Sequence, residues 1–324
     1  MLNFVYCLDK NYNQQVLTSI NSLIENCSKN INIYIIHEDP DSLKLQTIKQ
    51  NNGGEIKKYK IEINDDFPNL KGAHVSKATY YRLYLSKYLP QNLDHIIYLD
   101  ADIICLNDPI KSMESTIKNM QVEALGLSAV TEMVYKKNSP VENERFIELD
   151  MKNNKYFNAG VLVINFQEWQ IKNIEEKLFD IMIKYYDKIL YWDQDILNKY
   201  YDGKYFELEK TNNFTFSIKN KDRYNQQQQS IHETVNFLHY NGKGKPWQVQ
   251  NLIFDSSHIY QNEFRKLNLG FYHIVFDLKT KVIVTFLQNI FSLRILKLEK
   301  PSQYIYLSIK AIFKNIKRIL QETA

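Results

Sequence analysis

The 324-residue chain is 44% hydrophobic and 13% aromatic, with 9 Gly and 7 Pro, a globular composition that excludes a disordered chain and suffices for one large domain or a domain plus an appendage. Its net charge of +4 is unevenly placed: from Lys279 to Arg318 nine Lys or Arg stand against the single acid Glu299, a local balance of +8 that leaves −4 for the rest. The body is mildly acidic and its tail strongly basic, and no nucleic-acid partner is expected.

Met1 to Cys7 has neither a basic n-region nor a small-residue cleavage site, so it reads as a first strand and not as a secretory signal. Cys7, Cys27 and Cys105 form no short-spaced pair; reduced thiols and a cytosolic location are the default. Phe4 to Leu8 is an apolar run closed by Asp9-Lys10-Asn11-Tyr12, after which Val16, Ile20, Leu23 and Ile24 recur at helical spacing. Strand, polar turn and helix open an α/β unit. Ile31 to Ile36 reads as a second strand, Leu43 to Ile48 as a second helix, and Gly53-Gly54 as a turn into a strand from Ile56 to Ile63. This alternation implies a largely parallel sheet with sites at the carboxyl ends of its strands, which places Asp9, His37 and the acids of the next strand on one edge. Ser76 to Leu89 reads as one helix stopped by Pro90, with Arg82 inside it.

The run Ile96 to Leu99, then Asp100-Ala101-Asp102, then Ile103 to Cys105 sets two acids inside an apolar stretch. If the backbone stays extended, both acids point to one side, roughly 6–7 Å apart at the backbone. Like charges that close in apolar surroundings repel and lose hydration, and a bound divalent cation is the usual remedy. The alternative is a strand that ends at Leu99 with both acids in a polar loop, against which stands the renewed apolar run after Asp102.

Ala124 to Val130 reads as a strand, and the polar stretch Met133 to Lys155 as a long connection, a candidate flap or partner-binding loop. Tyr156 to Asn165 is a buried strand entered through Asn158-Ala159-Gly160, small residues that admit a ligand to the backbone or simply form a turn. Trp192 to Asn198 starts a helix with Asp193 as candidate N-cap, and Gln226 to Gln229 reads as a surface loop. The strand-like Asn236 to Tyr240 runs into Asn241-Gly242-Lys243-Gly244-Lys245-Pro246-Trp247, a basic turn whose amides suit a phosphate, without Walker A or G-x-G-x-x-G spacing. Further on, Ile305, Ile309, Ile312, Ile316 and Leu320 form one helical stripe, with Lys310, Lys314, Lys317 and Arg318 opposite. That is either a membrane-surface element or a helical cap packed on the body. Val282 to Leu298 is too polar and too short to span a bilayer.

Taken together and in order, Tyr98-Leu99-Asp100-Ala101-Asp102, Phe157-Asn158-Ala159-Gly160-Val161-Leu162, Asp193-Gln194-Asp195-Ile196-Leu197-Asn198 and His239-Tyr240-Asn241-Gly242-Lys243-Gly244-Lys245-Pro246-Trp247 resemble glycosyltransferase family 8. The likeness, over roughly residues 1–250, is strongest to bacterial lipooligosaccharide galactosyltransferases and more distant to glycogenin. It implies a GT-A type α/β fold, a Rossmann-like mixed sheet flanked by helices over residues 1–255; the residue pattern beyond it reads as a basic, mostly helical extension over 256–324. It further implies a retaining hexosyltransferase that moves galactose or glucose from a UDP-sugar to an oligosaccharide, glycolipid or glycoprotein acceptor. By the same resemblance, Asp9, Asn11 and Tyr12 hold uridine and ribose, and Asp100, Asp102 and His239 hold manganese or magnesium. Ala101 and Arg82 contact the donor, Asn158, Ala159, Asp193 and Gln194 surround its sugar, and Gly242 and Lys245 bind its diphosphate. The same match puts Gln194 beneath the sugar and Asp193 on its hydroxyls, an expected catalytic pair for a same-face substitution, with double displacement through a covalent intermediate the alternative. The basic stretch 279–320 suits the anionic inner face of a plasma membrane, and lipopolysaccharide or other cell-surface glycan synthesis is the expected setting. A catalytically silent UDP-sugar scaffold is one alternative. A nucleotidyltransferase is another, against which the chain shows no Gly-rich activation loop near its start.

Overall fold

The computed structural model of the protein describes residues 1–49, 53–63, 67–70, 76–136, 139, 143–215, 218 and 221–322, without the side chains of 221–226, 318 and 322. Strand β1 (Leu2–Leu8) leads through a 3-10 turn at Lys10–Tyr12 into helix α1 (Asn13–Asn26), strand β2 (Ile31–His37) and strand β3 (Ile56–Lys60). Between β2 and β3 the expected helix at Leu43 to Ile48 is replaced by 3-10 turns at Pro40–Ser42 and Leu45–Thr47. Six residues are too few to repay helix nucleation, and Leu43, Leu45 and Ile48 are drawn into the core singly.

The expected helix from Ser76 is a 3-10 helix over Lys77–Tyr84 that relaxes into a single α turn, α2 (Leu85–Tyr88). With six of its eight residues buried, this segment is packed on all sides, and three residues per turn eclipse positions i and i+3. Thr79 and Arg82 therefore face the same way. Next come β4 (His95–Leu99), β5 (Ile103–Cys105), α3 (Ile110–Val122) and β6 (Leu127–Val134). The strand expected from Ala124 starts later because Ala124, in the left-handed region at φ 53°, turns the chain out of α3. Of the expected 133–155 connection, the described part holds the end of β6 and α4 (Glu144–Glu148), and residues 137, 138 and 140–142 lie outside the described residues.

The chain continues with β7 (Lys155–Asn165), α5 (Phe166–Ile171), α6 (Ile174–Lys184), α7 (Trp192–Tyr201), β8 (Phe206–Glu207) and β9 (Phe214–Thr215). Helix α8 (Lys221–Thr234) carries the glutamine run, correcting the expected loop; glutamine is a good helix former. Strand β10 (Phe237–His239) and helices α9 (Asp255–Arg265), α10 (Thr280–Phe291) and α11 (Pro301–Glu322) complete the chain.

The main sheet is seven-stranded, ordered β3-β2-β1-β4-β7-β6-β8. Strands β3, β2, β1 and β4 are parallel, β7 runs against both its neighbours, and β6 and β8, parallel to each other, run with β4 again, so the sheet is mixed but largely parallel, with β7 its reversed strand. Alternate residues enter different cores: Val5 and Cys7 of β1 pack with Tyr98 and Leu162 beneath α6 and α7, while Phe4, Tyr6 and Leu8 pack with Ile97, Leu99 and Val161 beneath α1 and α3. Because β7 opposes β4 with Leu99 paired to Val161, its residues Asn158 to Gly160 arrive just beyond the end of β4. A second sheet, β5-β10-β9, carries β10 antiparallel to β5 and parallel to β9.

Helix α9 packs on α1, with Tyr260 and Phe264 joining Leu17 and Trp247 in a third core. Helices α10 and α11 close a fourth around Val249 and Leu252, where the Tyr304 hydroxyl donates to the Val249 carbonyl at 2.9 Å. Among the described residues no helix is long and apolar enough to cross a membrane.

Candidate active site

The two acids do not continue a strand. β4 stops at Leu99, the Ile103 N–H donates to the Asp100 carbonyl at 3.3 Å, and the chain turns into β5 of the second sheet. The apolar residues after Asp102 thus belong to another sheet, and the carboxylates sit at the junction, where a buried strand does not have to accommodate them. The turn is held from both sides: Asp100 N–H donates to the Gly160 carbonyl at 2.9 Å, and Tyr240 N–H donates to the Asp102 carbonyl at 3.1 Å.

Each carboxylate has one oxygen neutralised and one left over. Asp100 Oδ1 accepts from Arg82 Nη2 (2.6 Å) and the Tyr98 hydroxyl (2.9 Å), and Asp102 Oδ2 accepts from Lys245 Nζ (2.5 Å). Asp100 Oδ2 and Asp102 Oδ1 instead face His239 Nε2 at 3.9 and 3.3 Å. Asp102 Oδ1 is buried without a hydrogen-bond partner, a costly state that a cation would relieve. Although burial pushes the Asp102 carboxyl up, the Lys245 ammonium and His239 hold it well below the usual carboxylate range. One ligand atom from each of Asp100, Asp102 and His239 lies within 4.8 Å of the others, and two carboxylates with one imidazole suit manganese or magnesium. The residues fit a divalent cation. The histidine reaches this position only because β7 carries a glycine beside it: a Cβ on Gly160 would lie 2.2 Å from His239 Cε1.

Arg82 forms the opposite wall, 5% exposed with its guanidinium 3.9 Å over the Tyr98 ring. It donates to the Ala159 carbonyl at 2.6 Å as well as to Asp100, and its Nε lies 2.9 Å from Asp193 Oδ2. The Thr79 hydroxyl, one 3-10 turn earlier, donates to Asp193 Oδ1 at 2.6 Å. Burial pushes the Asp193 carboxyl up to about 6, against the pull of Arg82 and Thr79. Asp193 is therefore not the cap of α7. Tyr191 is the N-cap, Trp192 takes a left-handed φ of 49°, and the carboxylate of Asp195 accepts the Leu190 and Tyr191 N–H groups at 2.7 and 2.8 Å. The buried guanidinium draws Asp193 inward and leaves the capping to its neighbour. Gln194 is held flat against β7: its Oε1 accepts from Ala159 N–H (2.9 Å) and its Nε2 donates to Glu132 Oε2 (3.1 Å).

These groups line one cleft of about 470 Å³, a volume in the range of small-molecule sites. Asp9, Tyr12 and the basic turn all line it, and Tyr12 meets the turn edge-on at Trp247. Gly242 takes a φ of 80° there, which a side chain would resist. The family model for glycosyl transferase family 8 matches residues 3–251.

The chain belongs to glycosyltransferase family 8. Its relatives include the lipopolysaccharide 1,2-glucosyltransferase of Escherichia coli K12, 30% identical over 76% of this chain and 72% of that one. The lipopolysaccharide 1,3-galactosyltransferase of Salmonella typhimurium is 26% identical over 76% and 72%. The fold matches that of the galactosyltransferase LgtC, solved with donor and acceptor sugar analogues, with a TM-score of 0.66 at 21% identity over 88% of this chain and 100% of that one. It is a GT-A type architecture, as the family implies.

Of the site residues expected for a family 8 enzyme, Asp9, Tyr12, Arg82, Asp100, Ala101, Asp102, Asn158, Ala159, Asp193, Gln194, His239, Gly242 and Lys245 all line the cleft. Asn11 does not: it is exposed, and its backbone N–H donates to Asp9 Oδ1 at 2.8 Å. His37 reaches the same edge of the sheet but is spent on structure, bonded to Asn13 and to the Asp39 N–H at 2.8 and 2.7 Å. Sequence reasoning missed Tyr98, Thr79 and Glu132. Tyr98 was within reach, since positions i and i+2 of a strand share a face with Asp100. Glu132, on the rim with hydrogen bonds from Gln194 and Asn158, carries no sequence signal.

Proposed function

We propose that this family 8 enzyme transfers a hexose, galactose or glucose, from a UDP-sugar to a glycan acceptor with retention of configuration, in cell-surface polysaccharide, lipooligosaccharide or glycoprotein synthesis. The observation that carries the reading is the Asp100, Asp102 and His239 ligand set on the cleft floor, with Lys245 beside it. A divalent cation held there, manganese or magnesium, would neutralise the diphosphate as it departs. Lys245 adds a fixed positive charge on the same side. Arg82, locked by Asp100, Asp193 and Ala159, orients the sugar end. Both Asp193 oxygens are engaged, by Thr79 and Arg82, and an amide is a poor nucleophile, so Asp193 and Gln194 favour same-face substitution over a covalent intermediate. Relatives named for glucosyl and for galactosyl transfer match at 30% and 26%, which leaves both donors in play.

The C-terminal helices support attachment to an anionic membrane surface. Helix α11 meets the body through Tyr304 and Ser308, while Ile309, Phe313, Ile316 and Leu320 stay 41–68% exposed. At 100° per residue these four fall within roughly 60° of one another, with Lys310, Lys314 and Lys317 on their flank. Ile305 and Ile312 of the same stripe pack against the core around Val249, so the helix caps the body along one edge and leaves the remaining apolar residues free for a membrane surface. We accordingly assign residues 1–255 to catalysis and 256–324 to a basic helical region at the inner face of the plasma membrane.

The test is release of UDP from a panel of UDP-sugars with manganese, magnesium or chelator. Turnover with one UDP-hexose, lost in chelator and in Asp100→Asn and Asp102→Asn, is expected; full activity of both variants would overturn the reading.

A further inference from the structure

We propose that Asn213 is a positioning residue that fixes the proton of His239 and, through Asn158, ties the metal-binding imidazole to the strand that faces the donor sugar. The inference rests on the metal-dependent reading above and deepens it.

The assignment begins at an atom that can only donate. The Gly160 N–H donates to Asn158 Oδ1 at 2.9 Å, which sets the Asn158 amide with its oxygen toward Gly160. That oxygen also accepts from Asn213 Nδ2 at 2.9 Å, so Asn213 presents its nitrogen to Asn158 and its oxygen to the other side. There, Asn213 Oδ1 lies 2.9 Å from His239 Nδ1. An amide oxygen cannot donate, so Nδ1 carries the proton and Nε2 keeps its lone pair toward Asp100 and Asp102. Each orientation follows from the one before it. Asn158, Asn213 and His239 are 4%, 3% and 3% exposed, so solvent does not substitute for any of these partners.

The opposite tautomer has an evident attraction. It would offer Nε2–H to the partnerless Asp102 Oδ1 at 3.3 Å and so remove the imidazole from the ligand set. Asn213 stands against that tautomer, because it would set the Nδ1 lone pair against an amide oxygen. Metal-binding histidines are commonly held in this way, by an acceptor on the far nitrogen. Asn213 immediately precedes β9, whose pairing with β10 sets Thr215 opposite His239, so the contact is built into the second sheet.

The experiment uses metal-free, ¹⁵N-histidine-labelled full-length protein in mildly alkaline buffer, with His239 assigned from a His239→Gln variant. Long-range ¹H–¹⁵N correlation reads the tautomer, and manganese affinity is read from the free-ion electron paramagnetic resonance signal. Wild type is expected to show Nδ1–H. Asn213→Leu is expected to move His239 toward Nε2–H and to weaken manganese binding about 10–100-fold. Asn213→Asp keeps an acceptor for Nδ1–H but removes the donor to Asn158, so manganese binding stays near wild type while KM for the UDP-sugar rises. A folded Asn213→Leu variant with the Nδ1–H tautomer and wild-type manganese affinity overturns the proposal. If Asn213→Leu does not fold, Asn213→Asp decides: a loss of the Nδ1–H tautomer in that variant overturns it equally. Failure of wild type to bind manganese would sink the metal reading instead, while the tautomer shift still tests Asn213.

Discussion

Gly160→Ala is the sharpest perturbation the site allows, because it adds one methyl group and removes nothing. The new Cβ would stand 2.2 Å from His239 Cε1 and 2.7 Å from Nδ1, whereas ordinary contact begins at 3.4 Å, so the ring must retreat by about 1.2 Å. Metal-ligand distances tolerate only about 0.2 Å. His239 therefore leaves the ligand set, and manganese binding should weaken by at least about tenfold, as much as when a partner that orients a metal-binding histidine is removed. Overpacking should also lower stability by about 1–3 kcal/mol. Manganese titration gives the first quantity and urea unfolding the second. A double variant separates packing from ligation: Gly160→Ala with His239→Ala has no ring to clash, so it should regain stability relative to Gly160→Ala alone without regaining metal. A stable Gly160→Ala protein with wild-type manganese affinity would refute the placement of His239 against β7.

Three further outcomes are expected. Asp193 ionises near 3.8 in an unfolded chain and at about 6 when buried, so between those values the unfolded state holds fewer protons. Stability should then fall as pH rises from about 4 to 6, by about 3 kcal/mol in full, and Asp193→Asn should flatten that slope. Urea midpoints across the range check it, and an unchanged slope in Asp193→Asn contradicts the assignment. Gln194→Ala incubated with UDP-sugar alone should show no adduct by intact mass spectrometry; a sugar trapped on Asp193 would sink same-face substitution. Replacing Phe313 and Ile316 by Ser and Lys310, Lys314 and Lys317 by Gln should abolish sedimentation with anionic vesicles while sparing turnover on a soluble acceptor, and retained sedimentation rejects the membrane face. Substitution is cleaner here than truncation, because Phe286 and Tyr304 belong to the core around Val249.

What could be read from the residues was whatever depends on local pattern or on chemical incongruity. Continuous apolar runs located β1 and β7, two central strands, and acids in an apolar run marked the candidate cation site whichever backbone carried them. What could not be read depends on how distant segments compete. Asp193 looks like a cap until a buried guanidinium from another helix attracts it, and only then does Asp195 take over the free amides. The turn at Asp100 to Asp102 is invisible locally because β5 is as apolar as β4; only its membership of a different sheet distinguishes it. Leu43 to Ile48 has helical spacing but too little length. Asn213 follows Asn212 with nothing to single it out until β9 pairs beside β10.

The charge of the cleft adds one constraint on the order of events. Among the described residues its lining carries five carboxylates, Asp9, Asp100, Asp102, Glu132 and Asp193, against the three cations Arg82, Lys243 and Lys245, a balance of −2 leaving His239 out of the count. Arg82 and Lys245 are already committed to Asp100, Asp193 and Asp102, so little positive field remains for an incoming diphosphate. An anionic nucleotide approaching the metal-free cleft meets like charge in a partly desolvated site, where that repulsion is strongest. A divalent cation cancels the deficit of two charges. UDP should therefore bind measurably only after manganese, and calorimetric titration of UDP into chelated protein should give no binding heat until the metal is restored. In Asp102→Asn, which lowers the negative charge by one and frees Lys245, some metal-independent UDP binding should emerge even as metal affinity falls. Tight UDP binding to chelated wild-type protein would show that the nucleotide is held by contacts other than this charge balance.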